Sequence, residues 1–268
     1  MVQQIMFSIG YVIVLYLVFV FVELIYKYLN RLSMNRTNLI ANTVNNDKTT
    51  TIIQNPNLPG SKTVSLSNNE RSGVEFSYSF YLNVNPSTFQ QNNPTVGLLH
   101  VFHKGYPSQF PLMSPGVYMR SDTNTLRVYM STYKTWNNFI EVENIPVSKW
   151  VHVVVVGKDS ALEVYINGNI AKKMSFEGHA AYQNYQDVSV FSNRRILLSK
   201  SKVSSLTDDF NVLGTATGLL SRLTYFSYAL CYAEIQQLMN EGPSSQMESA
   251  ASSDIPPYMA DNWWTQSK

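Results

Sequence analysis

The chain opens on a run without a charged side chain, Val2 to Val22, with Gln3, Gln4, Ser8 and Gly10 as its few interruptions. At about 1.5 Å of rise per residue, such a run makes a helix of roughly 30 Å, the thickness of a bilayer's hydrocarbon core. Ile13 to Val22 has no polar stripe, which a helix packed on a soluble core would show. A cleaved signal peptide is the other alternative. It would begin with positive charge and end in small residues. Here no Lys or Arg precedes the run, and Phe19, Phe21, Leu24, Ile25 and Tyr26 fill the place of a cleavage site. The pattern predicts a retained anchor over residues 1–27, with Ile5, Phe7, Val12, Leu15, Leu17, Phe19 and Phe21 among its lipid-facing residues. Lys27, Arg31 and Arg36 follow the span. Positive flanks stay on the cytosolic side, so the expected topology has the N-terminus outside and the remainder cytosolic.

Beyond the anchor the period changes. Residues 28–60 read as a basic stem followed by an Asn/Thr-rich linker closing on Asn55-Pro56-Asn57-Leu58-Pro59-Gly60, with Thr50 to Ile53 as a short strand. From Ser61 the pattern is β. Val74, Phe76, Tyr78 and Phe80 alternate with Glu75, Ser77, Ser79 and Tyr81. Val117–Arg120 and Leu126–Met130 flank a five-residue loop, and Trp150 to Val156 is nearly all apolar, as in a strand covered on both faces. Leu162–Ile166 and Ile170–Met174 enclose Asn167-Gly168-Asn169, a hairpin signal because both Asn and Gly tolerate positive φ. Short strands with frequent turns predict an all-β jelly-roll sandwich over residues 61–243. One helix follows, with Ala233, Ile235, Leu238 and Met239 on its apolar face and Gly242-Pro243 as its stop. Residues 244–268 read as a flexible tail carrying Trp263-Trp264.

Charge narrows the partners. The chain has 20 basic and 18 acidic residues; residues 1–36 hold three of the former and one of the latter, which leaves 17 of each. A soluble part without net charge is not a nucleic-acid binder's profile, and Arg194-Arg195 with Lys200 and Lys202 reads as a solvated loop. Cys231 is the only cysteine, so no intrachain disulfide forms; its expected state is burial.

Candidate chemistry is sparse. Glu141-Val142-Glu143 places two carboxylates on one strand face. Asp208 and Asp209 are the calcium candidates, two carboxylates where six or more oxygens are needed. His100 and His103, three apart, would leave a strand on opposite faces, which disfavours a two-His metal site. His152 reads as a hydrogen-bonded core residue. Tyr106, Phe110, Tyr133 and Trp136 lie in or beside loops, where rings stack on a sugar or pack against protein. Of these, Tyr106 and Trp136, with Trp263 and Trp264 of the tail, are the partner-binding candidates. No cofactor motif is present.

Three stretches carry a resemblance: Ser65 to Val84, where Ser67-Asn68-Asn69 leads through Gly73 into a strand; Ile145 to Met174, with Lys149-Trp150-Val151-His152 before the Val164-Tyr165-Ile166-Asn167-Gly168 hairpin; and Gly218 to Pro243, with Tyr228-Ala229-Leu230 and the Glu234-Ile235 helix. Their order resembles the concanavalin A-like lectin/glucanase superfamily in its laminin-G-like form, over roughly residues 50–243. The closing Glu241-Gly242-Pro243 and the Asn/Ser opening are similar to versions of this domain in large DNA viruses of eukaryotes, often beside a membrane segment. Glycosidases of the superfamily carry two Glu with an Asp between, which the Glu141–Glu143 stretch lacks, so no enzyme is expected. The resemblance implies a membrane-anchored structural or interaction protein, a minor virion component linking an internal membrane to capsid proteins. The alternative is a membrane-tethered carbohydrate-binding module with a glycan partner.

Overall fold

The computed structural model describes residues 2–67, 74–89, 96–106, 112–158, 160–177, 179–203, 206 and 208–248. The chain divides into two units, residues 1–36 and 37–268. The first is α1 (Val2–Met34). Within it Ile9–Tyr28 is long and apolar enough to be a membrane span or a signal sequence, and none of it is buried. Phe7, Val12, Leu15, Leu17, Phe19 and Phe21 are all exposed; the side chain of Ile5 lies outside the described residues. Glu23 and Lys27 pair at 2.7 Å one turn apart, so the first charges after the apolar run cancel.

Among the described residues, the second unit is a sandwich of fifteen strands with a 3-10 turn at Pro86–Phe89 and one further α-helix. The strands are β1 (Arg36–Asn38), β2 (Thr43–Asn45), β3 (Thr50–Ile52), β4 (Glu75–Val84), β5 (Leu98–Gly105), β6 (Met113–Arg120), β7 (Leu126–Met130) and β8 (Asn138–Val142). They continue with β9 (Trp150–Lys158), β10 (Ala161–Ile166), β11 (Asn169–Ser175), β12 (Val188–Val190), β13 (Ile196–Leu198), β14 (Phe210–Thr215) and β15 (Gly218–Phe226), and α2 (Tyr232–Glu241) closes the series. One sheet runs β1-β15-β4-β9-β10-β11, with β2 also on β15; the other runs β13-β14-β5-β6-β7-β8, with β12 bridging β5 and β3. β14 and β5 pair in parallel, whereas β15–β4, β4–β9, β9–β10 and β10–β11 in one sheet and β5–β6, β6–β7 and β7–β8 in the other are antiparallel. Phe80, Val101, Val117, Val128, Val153 and Leu223 are among the side chains that fill the space between the sheets.

The apolar β9 is covered on both faces. Val153 and Val155 enter the inter-sheet core, while Val154 and Val156 alternate to the outer face and are buried as well. That outer face carries α2, whose Ile235 and Leu238 are buried. Tyr81 clasps the helix: its hydroxyl donates toward the carbonyls of Leu238 (2.7 Å) and Met239 (2.9 Å) and accepts the Gly242 N–H at 3.0 Å. Tyr81→Phe is expected to cost about 1–2 kcal/mol and to speed amide exchange in α2. Unchanged exchange there would exclude the clasp. The β10–β11 hairpin turns on Asn167 (φ 47°) and Gly168 (φ 78°), the two positive angles that Asn-Gly predicts.

Three expectations are corrected. In the stretch read as stem and linker, α1 continues to Met34 and β1 and β2 follow on β15; β3 falls where a short strand was expected, and it pairs with β12. These strands are three residues long, too short for an alternation to read, although Val44 and Ile52 reach the core; backbone pairing places them. Leu39 and Ile40 both donate their N–H groups to the Leu223 carbonyl, at 2.9 and 3.0 Å. The start of the expected flexible tail is also docked. The Thr43 N–H donates to Gln246 O (2.9 Å), and the Glu248 N–H donates to Thr43 O (2.7 Å). Cys231 is exposed rather than buried, because it is the residue before α2 and faces out. Its N–H donates to Glu234 Oε2 at 2.8 Å, which caps the helix.

Candidate functional site

The outer face of the second sheet carries the densest polar chemistry. On β7, Leu126, Val128 and Met130 point into the core, so Arg127 and Tyr129 point out. On β8 the same alternation turns Phe139 and Glu141 outward, opposite Tyr129 and Arg127 in the pairing register. Arg127 Nη2 and Nε lie 2.7 and 2.8 Å from Glu141 Oε1. Its Nη1 reaches Tyr129 Oη at 3.1 Å and Asp208 Oδ2 at 3.3 Å, and its guanidinium lies 4.2 Å from the Phe139 ring centre. Arg120, at the end of β6, grips Asp122 with Nε and Nη2 (2.9 and 2.8 Å) and touches Glu141 Oε1 at 3.4 Å.

Burial works against the charge on Arg127, but Tyr129 and Glu141 outweigh it and raise its pKa above the ordinary value. Tyr129 is pushed up to about 12, chiefly by burial. The hydrogen bonds from Arg120 lower the Asp122 carboxyl. Arg127, Tyr129 and Asp122 therefore keep their charge state across neutral pH.

Two clefts open here. One, of about 410 Å³, is lined by Arg120, Arg127, Asp208, Asp209 and Asn211, with Gly97. The other, of about 260 Å³, shares Arg120 and adds Glu141, Glu143, Asn124 and Asn144. Beneath them the aromatic rings are closed on one another. Tyr129 packs edge-on against Phe210 at 5.3 Å and against Tyr118 at 5.7 Å, and Trp136 meets Phe210 at 6.1 Å.

Asp208 thus faces a guanidinium. Asp209 Oδ1 accepts the Lys200 N–H at 2.7 Å and the Ser199 hydroxyl at 3.3 Å. Among the described residues, no three His, Cys, Asp or Glu side chains come together as a metal-holding group. Trp136 belongs to the aromatic cluster, half-buried. Tyr106 and Tyr133 are exposed at loops, Tyr133 against Tyr182 at 5.2 Å. Phe110, Trp263 and Trp264 lie outside the described residues. His152 Nε2 bonds Ser79 Oγ at 2.9 Å.

His100 and His103 are side by side, not on opposite faces. A register shift between His100 and Phe102 inserts a bulge into β5, and the imidazoles meet at 2.7 Å, Nε2 to Nδ1. Arg120 and Arg127 were not legible as a pair. The available signal was an arginine inside the otherwise apolar Leu126-Arg127-Val128-Tyr129-Met130, a charge that needs a partner if the strand is buried.

A two-sheet sandwich with a helix on one outer face and a walled polar cleft on the other has the architecture of lectin-like binding domains. The family model Laminin_G_3, described as concanavalin A-like lectin/glucanases superfamily, matches residues 58–236, and the chain belongs to that superfamily. No curated protein matches the chain. Among solved structures, it is similar to the binding domain of botulinum neurotoxin serotype D at 10% identity, covering 76% of this chain and 51% of that one, with a TM-score of 0.48. The binding domain of Paraclostridial Mosquitocidal Protein 1 matches at 14% identity, over 77% of this chain and 47% of that one, with a TM-score of 0.44. The chain thus spans about half the length of these matched structures.

Proposed function

We propose that this protein is a membrane-anchored, non-catalytic binding protein whose β sandwich docks a partner protein. The observation that carries this reading is the state of the groups in the outer-face clefts. Glycoside hydrolysis needs one carboxyl group to deliver a proton and a second to attack or activate water. Glu141 Oε1 already receives three guanidinium N–H groups, and Asp208 faces Arg127. A sugar platform needs a free aromatic face, and the rings at this site are spent on one another. What remains is a fixed array of opposite charges at a sheet rim, suited to a partner surface with its own charged groups.

The apolar α1 holds the domain at a bilayer, with Lys27, Arg31 and Arg36 keeping the sandwich cytosolic. The resemblance of the Glu241-Gly242-Pro243 close to viral versions of the domain supports a particular setting. In it the chain is a minor virion component between an internal membrane and capsid proteins. Carbohydrate binding is the second reading, favoured by the superfamily and by the exposed rings of Tyr106 and Tyr133.

Cross-linking of the full chain after gentle detergent extraction tests the choice. A protein joined to residues around Arg120 and Asp208, and lost in Arg120→Glu, is the expected result. Glycan-array binding that disappears in Tyr133→Ala and persists in Arg120→Glu would replace it with the carbohydrate reading. Accessibility of the sandwich to protease in sealed cytosol-facing vesicles checks the topology.

A further inference from the structure

By sequence Arg194, Arg195, Lys200 and Lys202 read as a solvated loop; in the fold they flank β13. That strand pairs with β14 on one side and, among the described strands, ends the second sheet on the other. Ile196 and Leu198 pack on the aromatic cluster around Phe210, so Leu197 between them points the other way and is 61% exposed. The Lys202 N–H donates to Ser199 O at 2.9 Å, and this turn holds Lys200 and Lys202 at the end of the strand. All four cationic residues are exposed, and none is ion-paired to a described carboxylate. The acids nearest in sequence are engaged elsewhere. Asp208 faces Arg127, and Asp209 Oδ1 accepts the Lys200 N–H and the Ser199 hydroxyl.

Charge along an edge strand deters pairing with another chain, but that role calls for no leucine in the open. Cations around an exposed apolar side chain suit a contact with a bilayer, charge at the headgroups and the apolar group below them. The chain length agrees. Seven residues, Leu29 to Asn35, separate the end of the apolar span from β1. Even fully extended they reach at most roughly 30 Å, so an anchored sandwich stays beside the membrane.

We propose that the β13 edge rests on an anionic bilayer surface, with Arg194, Arg195, Lys200 and Lys202 over lipid headgroups and Leu197 entering the interface. The proposal rests on the reading of α1 as a retained anchor. A cytosolic leaflet supplies the anionic lipid, and each cation near it is worth roughly fivefold in affinity. The anchor keeps the surface at high local concentration, so a contact that is weak in free solution suffices.

The test uses the full chain with Cys231→Ser and Ser201→Cys, labelled with a fluorophore at position 201. It is reconstituted in phosphatidylcholine vesicles with or without one-third phosphatidylserine, each with a spin-labelled lipid as quencher. Both leaflets match, so either insertion orientation reads the same surface. Quenching should be roughly threefold or more stronger with phosphatidylserine and should fall away at about 1 M salt. Arg194→Glu with Arg195→Glu should abolish the difference, and Leu197→Ser should weaken quenching at unchanged net charge. These positions are exposed, so the variants leave the core intact. A label on the native Cys231, at the start of α2 on the other sheet, should show no such dependence. Flotation on neutral vesicles after alkaline washing reads the anchor separately. Flotation with quenching that ignores phosphatidylserine, or with equal quenching at Cys231, overturns the membrane contact and leaves the anchor standing. Capture of polyglutamate without quenching would give the edge to an acidic protein segment instead. Failure to float on neutral vesicles would remove the anchor, and this proposal with it.

Discussion

Arg127→Ala is expected to lower the stability of the sandwich by about 2–4 kcal/mol, because it strips a nearly buried guanidinium from Glu141, Tyr129 and Asp208 and leaves Glu141 with only the longer 3.4 Å contact to Arg120. The Arg127 side chain is 6% exposed and Glu141 24%, so water screens little of the loss on the strand side; Asp208, at 54%, contributes less. The guanidinium also packs on Phe139 and binds the Tyr129 hydroxyl, so the variant loses packing as well as charge. Chemical denaturation gives the number. The double variant Arg127→Met, Glu141→Leu separates the causes: if stranded charge dominates, it should recover more than half of the loss. A loss below about 0.5 kcal/mol for Arg127→Ala, the level of an exposed ion pair, would refute the account of the cleft as a rigid buried network.

Acid is expected to unfold the sandwich through its histidines. The Ser192 N–H donates to His100 Nδ1 at 2.9 Å, so His100 carries its proton on Nε2 and donates to His103 Nδ1 at 2.7 Å. His103 then carries its own proton on Nε2 and donates to the Tyr106 carbonyl at 3.1 Å. Every ring nitrogen is committed and both rings are neutral. Burial holds His103 down at about 4 and, with His103 beside it, His100 well below the ordinary value; Arg194 adds to the effect on His103. Burial likewise lowers His152 to about 4.

An unfolded histidine titrates near 6.5, so between that pH and about 4 the unfolded chain binds more protons than the folded one. Stability is therefore whole above about pH 7 and is lost as pH falls from 6.5, by about 1.4 kcal/mol per pH unit for each histidine involved. By pH 4.5 the sum is several kcal/mol, comparable with the net stability of a domain. The denaturation midpoint should be flat above pH 7 and fall steeply below 6, and His152→Gln should flatten the slope by about one proton. A midpoint unchanged between pH 7 and 4.5 would defeat this account.

The two structural expectations with the strongest local signals hold. Asn167-Gly168 turns the β10–β11 hairpin, because Asn and Gly take up positive φ at lower cost than other residue types. The Val153–Val156 run of β9 is buried on both faces, because four consecutive valines leave neither face a side chain that gains from water. The membership in the concanavalin A-like superfamily was legible for a similar reason: it rests on the order of such strong elements.

The candidate site was less legible. Glu141 and Asp208 were visible as residues, but their partner Arg127 is 14 positions from one and 81 from the other. A strand pattern says which side chains share a face and not which strand lies next to it.

The amino-acid sequence determined the quantities that neighbours along the chain decide: the apolar helix, the alternation of the strands, the tight hairpin, the amphipathic α2 and its Gly-Pro stop. The tertiary structure decided those that depend on pairing at long range. It set the register that brings Arg127 against Glu141, the bulge that brings His100 to His103, and the backbone ladders that carry residues 36–52 into both sheets. The physical reason is that these contacts are made by main-chain groups every residue has. Their choice of partner is fixed only when the whole core closes.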